Sequence, residues 1–78
     1  MAELLAYLAR QLVDEPDAVS VKEEEREGAI VLMLSVAKDD VGKVIGRQGR
    51  LAEALRTLVA ATAHHHGIRA TLEIRDPE

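Results

Sequence analysis

The sequence predicts a two-layer α+β domain, and three observations carry the prediction. Leu4, Leu5, Leu8, Leu12 and Val13 fall on one face of a helix, as do Leu51, Leu55, Leu58, Val59 and Thr62. Three other segments, around Val19–Val21, Ala29–Val36 and Ile68–Ile74, show the alternation or β-branched richness of strands. In chain order these pieces read α-β-β-α-α-β. With three strands and three helices, the helices must cover one sheet face to bury its apolar side. A chain of 78 residues suffices for one such domain, here residues 1–78.

The first 14 residues form the first helix, closed by Pro16, which pushes Glu15 out of helical geometry. Val19 and Val21 alternate with Ser20 and Lys22 as a short strand. Glu23-Glu24-Glu25-Arg26-Glu27-Gly28 then reads as a solvated turn, Gly28 being free to take positive φ. In the run AIVLMLSV, Ile30, Leu32, Leu34 and Val36 share one face, and Val31, Met33 and Ser35 the other. Apolar residues on both faces predict a central strand, or one whose second face meets a partner. Asp39 or Asp40 can cap a short helix through Val41–Ile45. A break at Gly46–Gly49 separates it from a longer helix, which Gly67 stops. Ile68, Ala70, Leu72 and Ile74 complete a half-buried strand, leaving Arg69 and Arg75 toward solvent.

Composition narrows the function classes. Of 37 apolar residues, 12 are alanine and one, Tyr7, is aromatic, so the core is small and aliphatic. Chains of this size bury only ~60% of their unfolded surface, which makes oligomerisation a natural source of further burial. The absence of cysteine excludes disulfides, a thiolate nucleophile and Cys-based metal sites. No run approaches the ~20 apolar residues of a membrane span. No basic segment precedes an apolar stretch at the N-terminus, so a cytoplasmic protein is expected. A net charge of −4 speaks against nucleic acid at first sight, and a single aromatic residue excludes RNA modules that stack bases on aromatic rings.

The informative segment is VGKVIGRQGRL, residues 41–51. Two glycines three apart join two helices. The amides and positive dipole end of the second helix point into the link, ready for an anion. Gly46 and Gly49 lack Cβ atoms, so a phosphodiester can approach the backbone closely. Lys43, Arg47 and Arg50 add positive charge, and Val41, Val44, Ile45 and Leu51 offer aliphatic surface beside it. With Gln48 inside the turn, this is a backbone clamp next to an apolar groove, suited to a single strand without aromatic stacking. Residues 41–56 hold four basic side chains against Glu53, a net of +3, while the other 62 residues sum to −7. The acidity therefore sits away from the clamp.

The pattern Val-Ile-Gly-x-x-Gly, here VIGRQG, resembles the hallmark of KH domains, whose GxxG loop clamps about four nucleotides. The element order is that of the type II KH arrangement with a mixed three-stranded sheet. The stretch DVGKVIGRQGRLAEALRTL is similar to the small bacterial single-domain KH proteins of the KhpA family. Many KH domains place a large aliphatic residue three positions after the second glycine. Here Ala52 stands there, and Leu51 precedes it. The resemblance implies a non-catalytic binder of single-stranded RNA, an RNA-chaperone type of role, and no cofactor. It also implies homodimers, and pairing with a larger KH-containing RNA-binding protein.

Other readings fare worse. No Gly-Lys-Ser/Thr completes a Walker loop, and a dinucleotide fingerprint would follow a strand rather than a helix. His64-His65-His66 point ~100° apart on a helix and cannot converge on one metal ion. Gly42 is expected to let the short helix pack closely on the sheet, and Arg56 to be either a peripheral phosphate contact or a surface charge. The alternative function is a protein-interaction module on the same scaffold with little RNA binding of its own, motivated by the small core and the two-sided apolar strand at 30–36. DNA in place of RNA stays open, since no residue is dedicated to a 2′-hydroxyl.

Overall fold

A computed structural model describes residues 1–76. The elements are α1 (Ala2–Leu12), β1 (Ser20–Arg26), β2 (Ala29–Ser35), α2 (Val41–Ile45), α3 (Arg50–His65) and β3 (Ala70–Arg75). The α-β-β-α-α-β order is as the sequence predicts. The sheet runs β1-β2-β3, with β1 antiparallel and β3 parallel to the central β2. This is the mixed sheet of a type II KH fold.

Leu32, Leu34 and Val36 of the central strand and its exit are fully buried under the helices, beside Leu72 of β3. Of the predicted stripes, Leu5, Leu55 and Val59 do face the sheet, but both helices are rotated toward their alanines. On α1 the inward residues are Leu5, Ala6 and Ala9, and on α3 they are Ala52, Leu55, Val59 and Ala63. Alanines let a helix axis lie close to the sheet, and a close approach removes more backbone and Cβ surface from water. The helix then turns so that Leu4, 47% exposed, and Leu58, 41% exposed, face outward. α1 also ends at Leu12, short of the expected 14 residues, and β3 begins at Ala70, leaving Ile68 exposed.

The acidic run is strand rather than turn. β1 continues to Arg26, pairing Glu23 with Leu32, Glu24 with Val31 and Glu25 with Ile30. The hairpin needs only Glu27 and Gly28, at φ 53° and 81°, because two residues of positive φ match the twist of paired strands. Acidic side chains along this edge strand discourage pairing with other strands. On the face away from the helices, Arg26 bridges Glu24 on its own strand and Glu73 of β3, and Arg75 also bonds Glu73. Reaching across β2, this ladder roofs Val31, which is 5% exposed. On the second face of β2, Val31 is thus buried within the chain while Met33 stays half-buried.

Asp40 stands at the N-cap position of α2 but does not cap it. Its side chain is buried and turns to the link between α1 and β1, where Oδ2 accepts the Glu15 N–H at 3.1 Å. Lys43 Nζ lies 3.2 Å from Asp40 Oδ1 and 3.2 Å from Asp14 Oδ2. This latch ties the end of α1 to the start of α2. Burial alone would raise the Asp40 pKa. The Asp14 and Glu15 amides and the Lys43 ammonium outweigh it and hold the carboxyl below its ordinary 3.8. The unfolded chain therefore takes up this proton first, so the latch stabilises fully above that value and is lost as pH falls through the lower folded one. We expect Asp40→Asn to lower the melting temperature by several degrees at neutral pH, with the gap to the parent narrowing below pH 3.8. Thermal melts of both proteins across the acid range check this.

Candidate nucleic-acid interface

The turn between α2 and α3 depends on both of its glycines. Gly46 ends α2 at φ 79°, ψ 173°, a region essentially closed to other residues. A Cβ there would also lie 2.5 Å from Leu51 Cβ and 2.9 Å from the Leu51 amide nitrogen. Gly49 enters α3 at φ 74°, ψ 10°, with open space where a side chain would be. Between them Gln48 adopts φ 57°, ψ 25°, a left-handed conformation that disfavours any residue with a Cβ. The Gly49 N–H closes the turn on the Gly46 carbonyl at 3.1 Å, and the Gly46 N–H bonds the Gly42 carbonyl at 3.0 Å.

No side chain caps α3. Its 16-residue dipole points into the turn with no side-chain hydrogen bond on its first amides, the Arg50 N–H bonding the Arg47 carbonyl and Glu53 being the one acid in its first turn. Such an end attracts anions. Arg47, Gln48 and Arg50 are exposed around it, and among the described residues neither arginine forms an ion pair.

The remaining predicted residues separate into two groups. Val41 and Leu51 are half-buried and packed against the core, and Ile45 is half-buried at the surface of α2. Being four apart, Val41 and Ile45 share a flank of that helix. Val44 does not belong with them. It is fully buried among core side chains and cannot line a groove. Inward placement of the middle of so short a helix is what fixes it to the sheet. Lys43 also departs from expectation, since Asp14 and Asp40 engage its ammonium. At ~100° per residue it sits on the opposite flank of α2 from Val41 and Ile45.

Gly42 does not serve close packing, because it is exposed and a Cβ there would meet nothing within 4 Å. Sequence reasoning missed it as a surface feature, although a glycine inside a helical segment is itself a signal. Arg56 donates to the Leu72 carbonyl at 3.4 Å and lies 4.0 Å from Glu53, so it ties α3 to β3. His64 and His65 are exposed at the end of α3, and no group of three metal-ligating side chains occurs among the described residues. No helix among these residues is long and apolar enough to cross a membrane.

Known proteins resemble this chain over nearly its whole length. It is 55% identical over 74 residues to the RNA-binding protein KhpA of Treponema pallidum, covering 95% of this chain and 92% of that one. It is 50% identical over 74 residues to the KhpA of Caldanaerobacter subterraneus, with 95% and 99% covered. The KhpA of Chlamydia pneumoniae is 45% identical over 76 residues, with 97% of each covered. Among solved structures, Aquifex aeolicus Era superposes with a TM-score of 0.62 at 20% identity, as does Era in complex with part of 16S ribosomal RNA. Each match takes in 96% of this chain and 29% of the Era chain, and at that identity it establishes a shared fold. A sequence model of the KhpA/KhpB KH domain matches residues 2–74. The chain therefore belongs to the KhpA/KhpB family of KH-domain proteins, which are not enzymes.

Proposed function

We propose that this protein is a cytoplasmic, single-module binder of single-stranded RNA that grips the sugar–phosphate backbone at Gly46-Arg47-Gln48-Gly49. The uncapped N-terminus of α3, fronted by a turn bare of Cβ atoms at both glycines, carries the reading. Phosphate oxygens accept from the first-turn amides, and Arg47 and Arg50 supply the unpaired charge. Bases lie toward Val41, Ile45 and Leu51. The relatives' name, RNA-binding protein KhpA, points to the same ligand.

The module works as a dimer in this proposal. Leu4, Leu58 and Thr62, with Met1, line a small apolar cleft between α1 and α3 on the outer side of the helix layer. A second copy covers it, and a larger KH-containing RNA-binding protein can take the same place, consistent with a family model shared by KhpA and KhpB. The two-sided apolar strand lends the interaction-only reading less support, because Val31 on the outer face of β2 is buried beneath the Arg26–Glu73 bridge.

Three outcomes are expected. Gly49→Asp has room for its side chain but is strained at φ 74°, so its fold is checked first by circular dichroism. It lowers affinity for a single-stranded RNA at least about tenfold, because it sets a carboxylate where phosphate docks. A folded variant with unchanged affinity sinks the clamp, and single-stranded DNA of the same sequence run alongside measures the sugar preference. In a salt titration, Arg47→Gln or Arg50→Gln lessens the slope of log affinity against log salt by ~0.7–1, while Lys43→Gln leaves it unchanged. Light scattering should give the mass of a dimer for the parent and of a monomer for Leu58→Glu. A parent that is monomeric at high concentration removes the dimer.

A further inference from the structure

β1 is an edge strand, and the pairing tells which of its residues face the open side. The Ile30 N–H bonds the Arg69 carbonyl at 2.9 Å, on the β3 side, so the opposed residues Glu25 and Ile30 form an unbonded pair. Bonded and unbonded pairs alternate in an antiparallel ladder, which makes Glu23 with Leu32 and Val21 with Leu34 unbonded as well. The backbone N–H and C=O groups of Val21, Glu23 and Glu25 therefore point away from the sheet, where no further strand lies among the described residues. Such groups are free to pair with an added strand.

Beside this edge α1 leaves room for one. An open groove of about 370 Å³ lies between the helix and the start of β1. Ala2 and Ala6 line it from the helix, Val19 and Val21 from the strand, and Glu3 and Arg10 add a charge of each sign. Val21 packs against the core, and Glu23 and Glu25 share its face of the sheet but are exposed. Among the described residues Glu3, Glu23 and Glu25 form no ion pair, whereas Glu24 on the opposite face is taken by Arg26. Three unpaired acids against Arg10 decide what can enter. A phosphate backbone is repelled. A second copy adding through its own β1 would set glutamates against glutamates, which is destabilising. A strand with lysine or arginine at alternate positions neutralises the edge instead.

We propose that the β1 edge is a docking site for a short basic strand of a partner protein. The strand adds in the antiparallel sense, the more stable form of pairing. Two cationic side chains at alternate positions lie on Glu25 and Glu23, and an apolar side chain two residues further enters the groove beside Val21. Backbone hydrogen bonds to Val21, Glu23 and Glu25 supply affinity, and the acids and the groove supply selectivity. The site uses no residue of the Gly46–Gly49 turn and does not depend on the clamp reading.

The probe is the acetylated and amidated peptide Lys-Thr-Lys-Thr-Val-Thr, titrated into the protein and followed by nuclear magnetic resonance. Binding should saturate by about 1 mM, and the Val21, Glu23 and Glu25 amides should exchange their hydrogens more slowly in the complex than in the free protein. The same peptide N-methylated at its second lysine and its valine loses two backbone donors and should bind at least about tenfold more weakly. Glu-Thr-Glu-Thr-Val-Thr should lose as much through charge. The double variant Glu23→Lys with Glu25→Lys, checked for folding by circular dichroism, should prefer the acidic peptide over the basic one. Absence of binding at about 1 mM, equal affinity for the N-methylated peptide, or unchanged amide exchange at saturation overturns the added strand. Equal binding of the acidic peptide by the parent, or a retained preference for the basic one in the double variant, overturns the basic partner and with it the proposal.

Discussion

A helix of five residues is too short to hold its own shape in water, and the proposed interface is built on one. α2 is held from three directions instead. Its start is latched to the end of α1 through Asp40, Lys43 and Asp14. Its middle is pinned by Val44 in the core, and its end is set by Gly46 lying against Leu51. The last contact is the most demanding, because the Leu51 backbone and Cβ occupy the space that any side chain at residue 46 would need. The turn therefore comes preformed, and a ligand does not have to organise it.

The same restraints decide where charge is available. Residues 41–56 carry a net charge of +3, but little of it is free. Asp14 and Asp40 bind Lys43, and Glu53 and the Leu72 carbonyl engage Arg56. What remains is Arg47 and Arg50, one on each side of Gly49. Two unpaired arginines and one helix end would give the proposed clamp a short electrostatic footprint, from which weak binding by a lone module and a shallow salt dependence are expected. The acids of the β1 edge lie on a different element, where they add solubility.

How much of this was legible in the sequence follows from which forces act locally. Element order came from periodicity, and the turn from glycine spacing, because both are properties of short stretches of chain. The inward faces of α1 and α3 did not. Hydrophobicity points leucines inward, whereas the sheet accepts Ala6, Ala9, Ala52 and Ala63 because axis-to-sheet distance rewards small residues. Glu23, Glu24 and Glu25 read as a turn by composition, and only pairing with β2 makes them strand. Asp40 looked like a cap because capping is local. Its actual partners lie 25 residues away, at Glu15, and on Lys43. At the interface, Lys43 and Val44 were assigned by chemistry and spacing alone. Their direction depends on how α2 is rotated about its axis, and the core and the latch set that rotation.

The rotation of α3 also separates the two proposed surfaces. Arg50 opens the helix at the turn, and Leu58 lies eight residues on, about 12 Å along the axis, beside Leu4 of α1. A second copy seated on the leucine cleft thus leaves the turn uncovered, so both turns of a dimer stay open to one strand. Joining two weak grips on one RNA turns the second contact into an intramolecular event, with an effective concentration set by the nucleotides spanning the pair. Affinity then depends on the spacing of two short segments more than on the sequence of either. For a chain with a small aliphatic core and no aromatic platform, the placement of alanines in the helices is what opens this route. By letting α1 and α3 settle onto the sheet, they leave Leu4 and Leu58 on the outer side of the helix layer, where the proposed partner would sit.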